Sequence, residues 1–224
     1  MKQDKLSNHY TGNIAGEYEQ SRKKGQKWHN EDAAMARLLS SLPDGLKIID
    51  IPVGTGRFFE LYANKKHIVE GADISKDMLH EAQNHPYAEK IEHNLSEANI
   101  FNLNYPDNSF DLAICIRFMN LVNSKEAHQA LEQLARVSKK HIIVGIRDLV
   151  PISNIKIHTP SGLKMYARQC LSRLTKQAKG KISFHTKSTV ESIFNDIGVK
   201  TIKKECIEHR DDGTDYFIYL LEKQ

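Results

Sequence analysis

The chain has 224 residues, 40% of them hydrophobic and 27% charged, with a formal net charge of +4. That length and balance suit one ordinary soluble domain with a sizeable core. No apolar run approaches the ~20 residues that span a bilayer, and the polar start MKQDKLSNHY has no signal-peptide core, so a cytoplasmic protein is expected.

Three cysteines, Cys115, Cys170 and Cys206, show no paired spacing, which favours reduced thiols over a disulfide frame. The eleven histidines are scattered and form no metal-binding motif, so no metal is expected.

Residues 1–45 precede the first strand. Asn30 is placed to cap a helix running to about Leu42, with Ala33, Met35, Leu38 and Leu39 on its buried side. Lys47-Ile48-Ile49-Asp50-Ile51 is a short β-branched run, too short for a helix, and Gly54-Thr55-Gly56 follows at once. The pattern predicts a strand, a tight turn and a helix starting near Arg57. Glycine at both positions admits positive φ and leaves the backbone open to a ligand, while a helix N-terminus favours an anionic group.

His67 to Asp73 reads as a second strand ending in an acid, and Ser75 then caps a helix with Met78, Leu79 and Ala82 on one face. A carboxylate at that strand end accepts from two neighbouring ribose hydroxyls, which points to an adenosine derivative. A dinucleotide fits poorly. Phe58 and Phe59 stand where its fingerprint wants a third small residue, and Asp50 would repel a pyrophosphate. The same carboxylate suits a ligand with a positive end.

A short third strand is expected within Ile91 to Ala98, and Phe110 to Ile116 is a clear buried strand. Arg117 and Asn120 follow at its C-terminal edge, where open α/β sheets bind ligands, and are candidate substrate contacts. Asn123 and Glu126 form a capping box for the next helix, and His141 to Ile146 is the fifth strand. A helix capped by Ser188, with Glu191 as its partner, runs to Asp196. Lys200 to His209 and Tyr216 to Leu221 then pair across Asp211-Asp212-Gly213 as an antiparallel hairpin.

Three blocks of this chain resemble the class I S-adenosylmethionine-dependent methyltransferases, in their small-molecule branch. They are Asp50-Ile51-Pro52-Val53-Gly54-Thr55-Gly56-Arg57, Gly71-Ala72-Asp73-Ile74-Ser75-Lys76-Asp77-Met78-Leu79, and Leu103-Asn104-Tyr105-Pro106-Asp107-Asn108-Ser109-Phe110-Asp111. The resemblance covers residues 46–147 and implies a Rossmann-like, doubly wound α/β fold. Its expected parts are a seven-stranded sheet with an antiparallel C-terminal hairpin, an N-terminal helical lid (1–45), a helical insert after strand 5 (148–187) and a closing helix and hairpin (188–224).

It also implies that S-adenosyl-L-methionine binds with its methionine end over Gly54 and Gly56 and its ribose on Asp73, leaving S-adenosyl-L-homocysteine as product. Further implied cofactor contacts are Asp50, Pro52, Ile74, Met78, Ile100 and Ile116. Tyr18 acts as a lid and Arg22 as a carboxylate partner, from a leader similar to the family's. Two departures stand out. Pro52-Val53 replaces the usual Gly-Cys, and Asn99 replaces an acid at the adenine amine.

From Leu149 to Val190 there are eight Lys or Arg and no Asp or Glu, while the remainder has 24 basic and 28 acidic residues. Leu163, Tyr166, Cys170, Leu171 and Leu174 fall on one helical face, Lys164, Arg168, Lys176 and Lys179 on another. This basic insert reads as a solvated pocket cover, as a patch receiving a phosphorylated or otherwise acidic acceptor through Lys164 and Arg168, or as a contact for RNA or an anionic membrane.

No aromatic-rich binding motif supports RNA. A small, acidic methyl acceptor is therefore the expected partner, with Trp28 as a further substrate contact and His158 and His185 as candidate general bases. Oligomeric state is open, and a binding module without turnover is the alternative to an enzyme.

Overall fold

The computed structural model describes residues 25–149, 159–160, 163–164, 166–167, 185–210 and 214–224. Strands β1 (Lys47–Asp50), β2 (Ile68–Asp73), β3 (Glu92–Glu97), β4 (Phe110–Cys115), β5 (Ser138–Leu149), β6 (His185–Thr186), β7 (Val199–Glu208) and β8 (Thr214–Lys223) form one sheet. Its order is β3-β2-β1-β4-β5-β8-β7, with the two-residue β6 pairing β5 off that path. The neighbours from β3 to β5 run parallel, and β8 is antiparallel to both β5 and β7. Chain order reverses between β1 and β4, the position where an open α/β sheet leaves a crevice at its C-terminal edge.

Helices α1 (Gln26–Ser40), α2 (Phe59–Asn64), α3 (Lys76–Gln83), α4 (Ser124–Val137) and α5 (Lys187–Asp196) cover the two faces. Both faces are buried, so β1 carries consecutive Ile48 and Ile49 and β4 an unbroken apolar run from Leu112 to Cys115. Ile48, Leu112 and Ile114 pack with α1 residues Met35, Leu38 and Leu39, while Ile49, Ala113 and Cys115 pack with α4 residues Leu131 and Leu134. The edge strand β7 carries exposed Lys200, Lys203 and Lys204, charges that discourage further strand pairing.

Three expected helix starts differ from those observed. α1 begins at Gln26 with Gly25 at its N-cap, because the Asn30 side chain is spent elsewhere. It accepts from Gln26 Nε2 at 3.0 Å and donates to the Ile207 carbonyl at 2.9 Å, which ties α1 to β7. The helix ends at Ser40, and its buried side holds Ala34 while Ala33 is exposed. α5 is capped by Thr186 rather than Ser188, since β6 ends at Thr186 and leaves its hydroxyl free to accept from Thr189 N. α2 starts at Phe59, after a turn that contains Arg57. The caps at Ser75 and Asn123 form as expected, the second as a full capping box with Glu126.

Among the described residues no helix is long and apolar enough to cross a membrane. Leu163 and Tyr166 of the insert are exposed, not packed as an apolar face.

Gly145 of β5 lies under the fully buried Tyr216 ring, and a Cβ there would meet the Tyr216 hydroxyl at 2.2 Å. Gly145→Ala is expected to cost about 1–3 kcal/mol by overpacking. Adding Tyr216→Phe, which removes the clashing oxygen, should recover part of that loss in urea denaturation. An equal loss in both backgrounds would contradict the contact.

Candidate active site

The turn after β1 is pinned on both sides, by Ile51 N donating to Ile114 O at 2.9 Å and Val53 N donating to Ala72 O at 2.8 Å. The Ile51–Pro52 peptide is cis. The two glycines serve different ends. Gly54 has φ +58° and open space where a Cβ would be, and it lines a cleft. Gly56 has φ +79°, does not line that cleft, and a Cβ on it would lie 2.7 Å from the Phe59 ring. Its small size therefore serves packing of Phe59.

The cleft, about 860 Å³ including its open mouth, is lined by Asp50, Pro52, Gly54, Asp73, Ile74, Met78 and Ile116 among others. A smaller hollow of about 360 Å³ holds Asn99 and Ile100 and shares Pro52, Ile74 and Phe118 with it. The structure thus gathers nearly all the expected cofactor residues that fall within the described residues, Gly56 excepted.

Asp73 accepts from Gly54 N at 3.0 Å through one carboxylate oxygen and from Ser75 N at 2.9 Å through the other. The acid at the end of β2 thereby holds the β1 turn in place. Burial raises its pKa, opposed by N–H groups of Ser75, Gly54 and Ile74. A carboxylate has about four acceptor sites, so these three N–H groups leave it able to accept further.

Asp50 is 2% exposed and accepts from the Tyr62 hydroxyl at 2.9 Å. Burial pushes its pKa up to about 7, the Tyr62 hydrogen bond opposing and Asp73 adding to the rise. Asn99 Oδ1 already accepts from Phe101 N at 3.0 Å, so its amide N–H groups are the more open end.

The second wall is built around a carboxylate that the sequence reading passed over. Glu31 of α1 is fully buried and pairs with Arg57 Nη1 at 2.5 Å and with Arg117 Nε at 2.7 Å. Arg57 also binds Asp32 and the Trp28 carbonyl. Both guanidiniums lie over the Trp28 indole, Arg57 at 3.5 Å and Arg117 at 4.9 Å from the ring centre. Arg117 adopts φ +64°, a left-handed conformation that costs a non-glycine residue and is held here by this pairing. Trp28, Arg57 and Arg117 all line the cleft. One signal for Glu31 was available, since it falls on the apolar face of α1 with Trp28, Met35 and Leu38.

Other candidates are placed differently. Asn120 lies outside the cleft lining, its side-chain oxygen accepting from Arg147 N at 3.0 Å. His185 is buried on β6 with Nε2 donating to Met119 O at 2.9 Å and Nδ1 paired with the Ser124 hydroxyl at 3.2 Å. Both ring nitrogens hold the turn at Met119–Leu121, so His185 has no nitrogen left for proton transfer, and that expectation is corrected. Lys164 is exposed. Tyr18, Arg22, His158 and Arg168 lie outside the described residues.

Residues 48–141 match a protein family described as a methyltransferase domain. No curated protein matches the chain in sequence. Among solved structures, magnesium protoporphyrin IX methyltransferase from Synechocystis PCC 6803 with bound S-adenosylhomocysteine is 16% identical. That match covers 100% of both chains with a TM-score of 0.73. A SAM-dependent methyltransferase from Methanosarcina mazei is 20% identical over 83% of this chain and 96% of its own, with a TM-score of 0.63. The cyclase SpnF is 14% identical over 85% and 80%, with a TM-score of 0.64.

Glu31→Ala would leave two guanidiniums without their shared buried partner. The expected loss of stability is about 3–5 kcal/mol, read from urea denaturation. Glu31→Gln should lose less, because it keeps an acceptor oxygen. A loss under about 1 kcal/mol for the alanine variant would show that solvent replaces the carboxylate.

Proposed function

We propose that this chain is a class I S-adenosylmethionine-dependent methyltransferase, a reading its matched domain and its fold support, and that it methylates a small acidic acceptor in the cleft between the β1 turn and α1. The observation that carries this reading is the pairing of Asp73 with Gly54 at the mouth of a cleft floored by Asp50. The residues suit the cofactor. The space above Gly54 admits close approach to backbone, Asp73 keeps acceptor capacity for ribose hydroxyls, and Asp50 offers negative charge to an ammonium or sulfonium. Ile74, Met78 and Ile116 supply apolar walls, and Asn99 and Ile100 lie in the adjoining hollow.

S-adenosylmethionine, when bound, supplies a methyl group already activated by its sulfonium. The chain's task is then mainly to align a nucleophile and exclude water. Among the described lining residues there is no histidine, which suits a nucleophile that arrives deprotonated. The charge imbalance of the basic insert supports an acidic acceptor, and reduced cysteines with no membrane-crossing helix among the described residues support a cytoplasmic setting. SpnF, a cyclase, has the same fold, so methyl transfer has to be measured directly with labelled cofactor and an acceptor series.

The Asp50 carboxyl gives a test that needs no acceptor. Its folded pKa of about 7 lies above the ordinary 3.8, so between these values the ligand-free folded chain holds a proton that the unfolded chain has released. Stability of the free protein therefore falls as pH rises through that window. A positive ligand end beside Asp50 favours the carboxylate and expels the proton. Calorimetry with S-adenosylhomocysteine near pH 6.5, in two buffers of different ionisation enthalpy, should show proton release, absent in Asp50→Asn. Binding without proton release in the wild type would place the positive end elsewhere.

A further inference from the structure

Beyond the Trp28 wall, the sheet carries a second charged cluster that cofactor binding does not use. Arg147, near the C-terminal end of β5, is 5% exposed. Its Nη2 donates to Glu208 at 2.6 Å, while Nη1 is buried without a hydrogen-bond partner among the described residues. A guanidinium nitrogen in that state is costly to leave unpaired, since both its N–H groups have given up water. Lys27 stands close by. Its ammonium lies 4.5 Å above the Tyr216 ring, whose other neighbour is the Arg147 guanidinium at 5.5 Å, and 3.5 Å from Glu208.

Burial and the Arg147 charge lower the Lys27 pKa, so this ammonium too is short of compensation. Among the described residues, Glu31 pairs with Arg57 and Arg117, Asp32 pairs with Arg57, and Glu208 is shared by Lys27, Arg147 and Arg210. One carboxylate thus serves three cations, and the Arg147 Nη1 donor is left over.

Lys27 and Arg147 are not themselves cleft-lining residues, and two links join them to the cleft. Lys27 precedes Trp28 in the chain, Asn120 joins Arg147 N to the turn that carries Leu121, and Trp28 and Leu121 both line the cleft. We propose that Lys27 and Arg147 form an oxyanion subsite that holds a carboxylate or phosphate of the acceptor beside the transferred methyl. This assignment rests on the reading of the chain as a methyltransferase of a small acidic acceptor, and it names the residues that select for the acid. Arg147 Nη1 supplies a charge-assisted hydrogen bond, Lys27 supplies a mobile second donor, and the Tyr216 ring fixes where both cations stand. Glu208 acts as the internal competitor that occupies the pair until the acceptor arrives.

That last role separates a binding subsite from a structural ion pair. The protein saturated with S-adenosylhomocysteine is titrated with sodium phosphate or sodium acetate, with sodium chloride holding ionic strength constant, and the midpoint of thermal unfolding is followed. The wild type should show a saturable rise with at least one oxyanion. A phosphate preference assigns a phosphorylated acceptor, and an acetate preference a carboxylic one. Arg147→Gln and Lys27→Gln should each weaken the apparent affinity about ten-fold, and Arg147→Lys less. Glu208→Gln should tighten it, because the competitor is gone; a merely structural pair predicts no gain.

If Arg147→Gln fails to fold, the Glu208→Gln gain and the Lys27→Gln loss decide. No saturable rise in the wild type, or a Glu208→Gln variant that binds no better, overturns the subsite. Failure of S-adenosylhomocysteine itself to bind would instead overturn the cofactor reading, while the anion titration still judges Lys27 and Arg147.

Discussion

Everything at the C-terminal edge of this sheet depends on one buried carboxylate. Glu31 reaches from α1 to two guanidiniums, one from the turn after β1 and one from the turn after β4. Without a shared anion those two cations would repel each other, and the left-handed backbone at Arg117 would lose the ion pair that braces its side chain. With it, α1 is fixed as a wall and both guanidiniums stand over the Trp28 indole. The crevice that sheet topology opens between β1 and β4 thus becomes a three-sided cleft.

The charges around that cleft are sorted by sign. Asp50 and Asp73 stand on the side of β1 and β2, one near neutrality in its titration and one held by backbone N–H groups. Lys27 and Arg147 stand on the side of β5 and α1, where they share the Glu208 carboxylate. A ligand pair with a cationic partner near β1 and an acidic partner near β5 fits this arrangement, and the reverse pair would meet like charge at both ends. The antiparallel closure by β8 brings Tyr216 under the cationic side, which a fully parallel sheet would not do.

Most of the fold was legible because its signals are local. β1, β2 and β4 are short apolar runs with turn residues directly behind them, and the caps at Ser75 and Asn123 rest on residues three apart. Misread positions are those where a tertiary partner claimed the side chain. Asn30 binds the β7 backbone instead of capping, Thr186 displaces Ser188 because β6 ends there, and His185 is enclosed by Met119 and Ser124. A glycine pattern also does not distinguish room for a ligand from room for a ring, and at Gly56 the Phe59 ring takes the space of a Cβ. Glu31 and Arg57 were missed since an ion pair 26 positions apart leaves no periodic trace, although an acid on the apolar face of α1 was a usable hint.

The central claim is that the Asp73 carboxylate, braced against Gly54, binds the ribose of an adenosine cofactor bearing no pyrophosphate. Isothermal calorimetry of wild type and Asp73→Ala with S-adenosylhomocysteine and with a nicotinamide dinucleotide tests it most directly. The expected result is binding of S-adenosylhomocysteine alone, weakened by about 1.5–3 kcal/mol in the variant through loss of charge-assisted hydrogen bonds. Unchanged affinity in Asp73→Ala, or comparable binding of the dinucleotide, would contradict it.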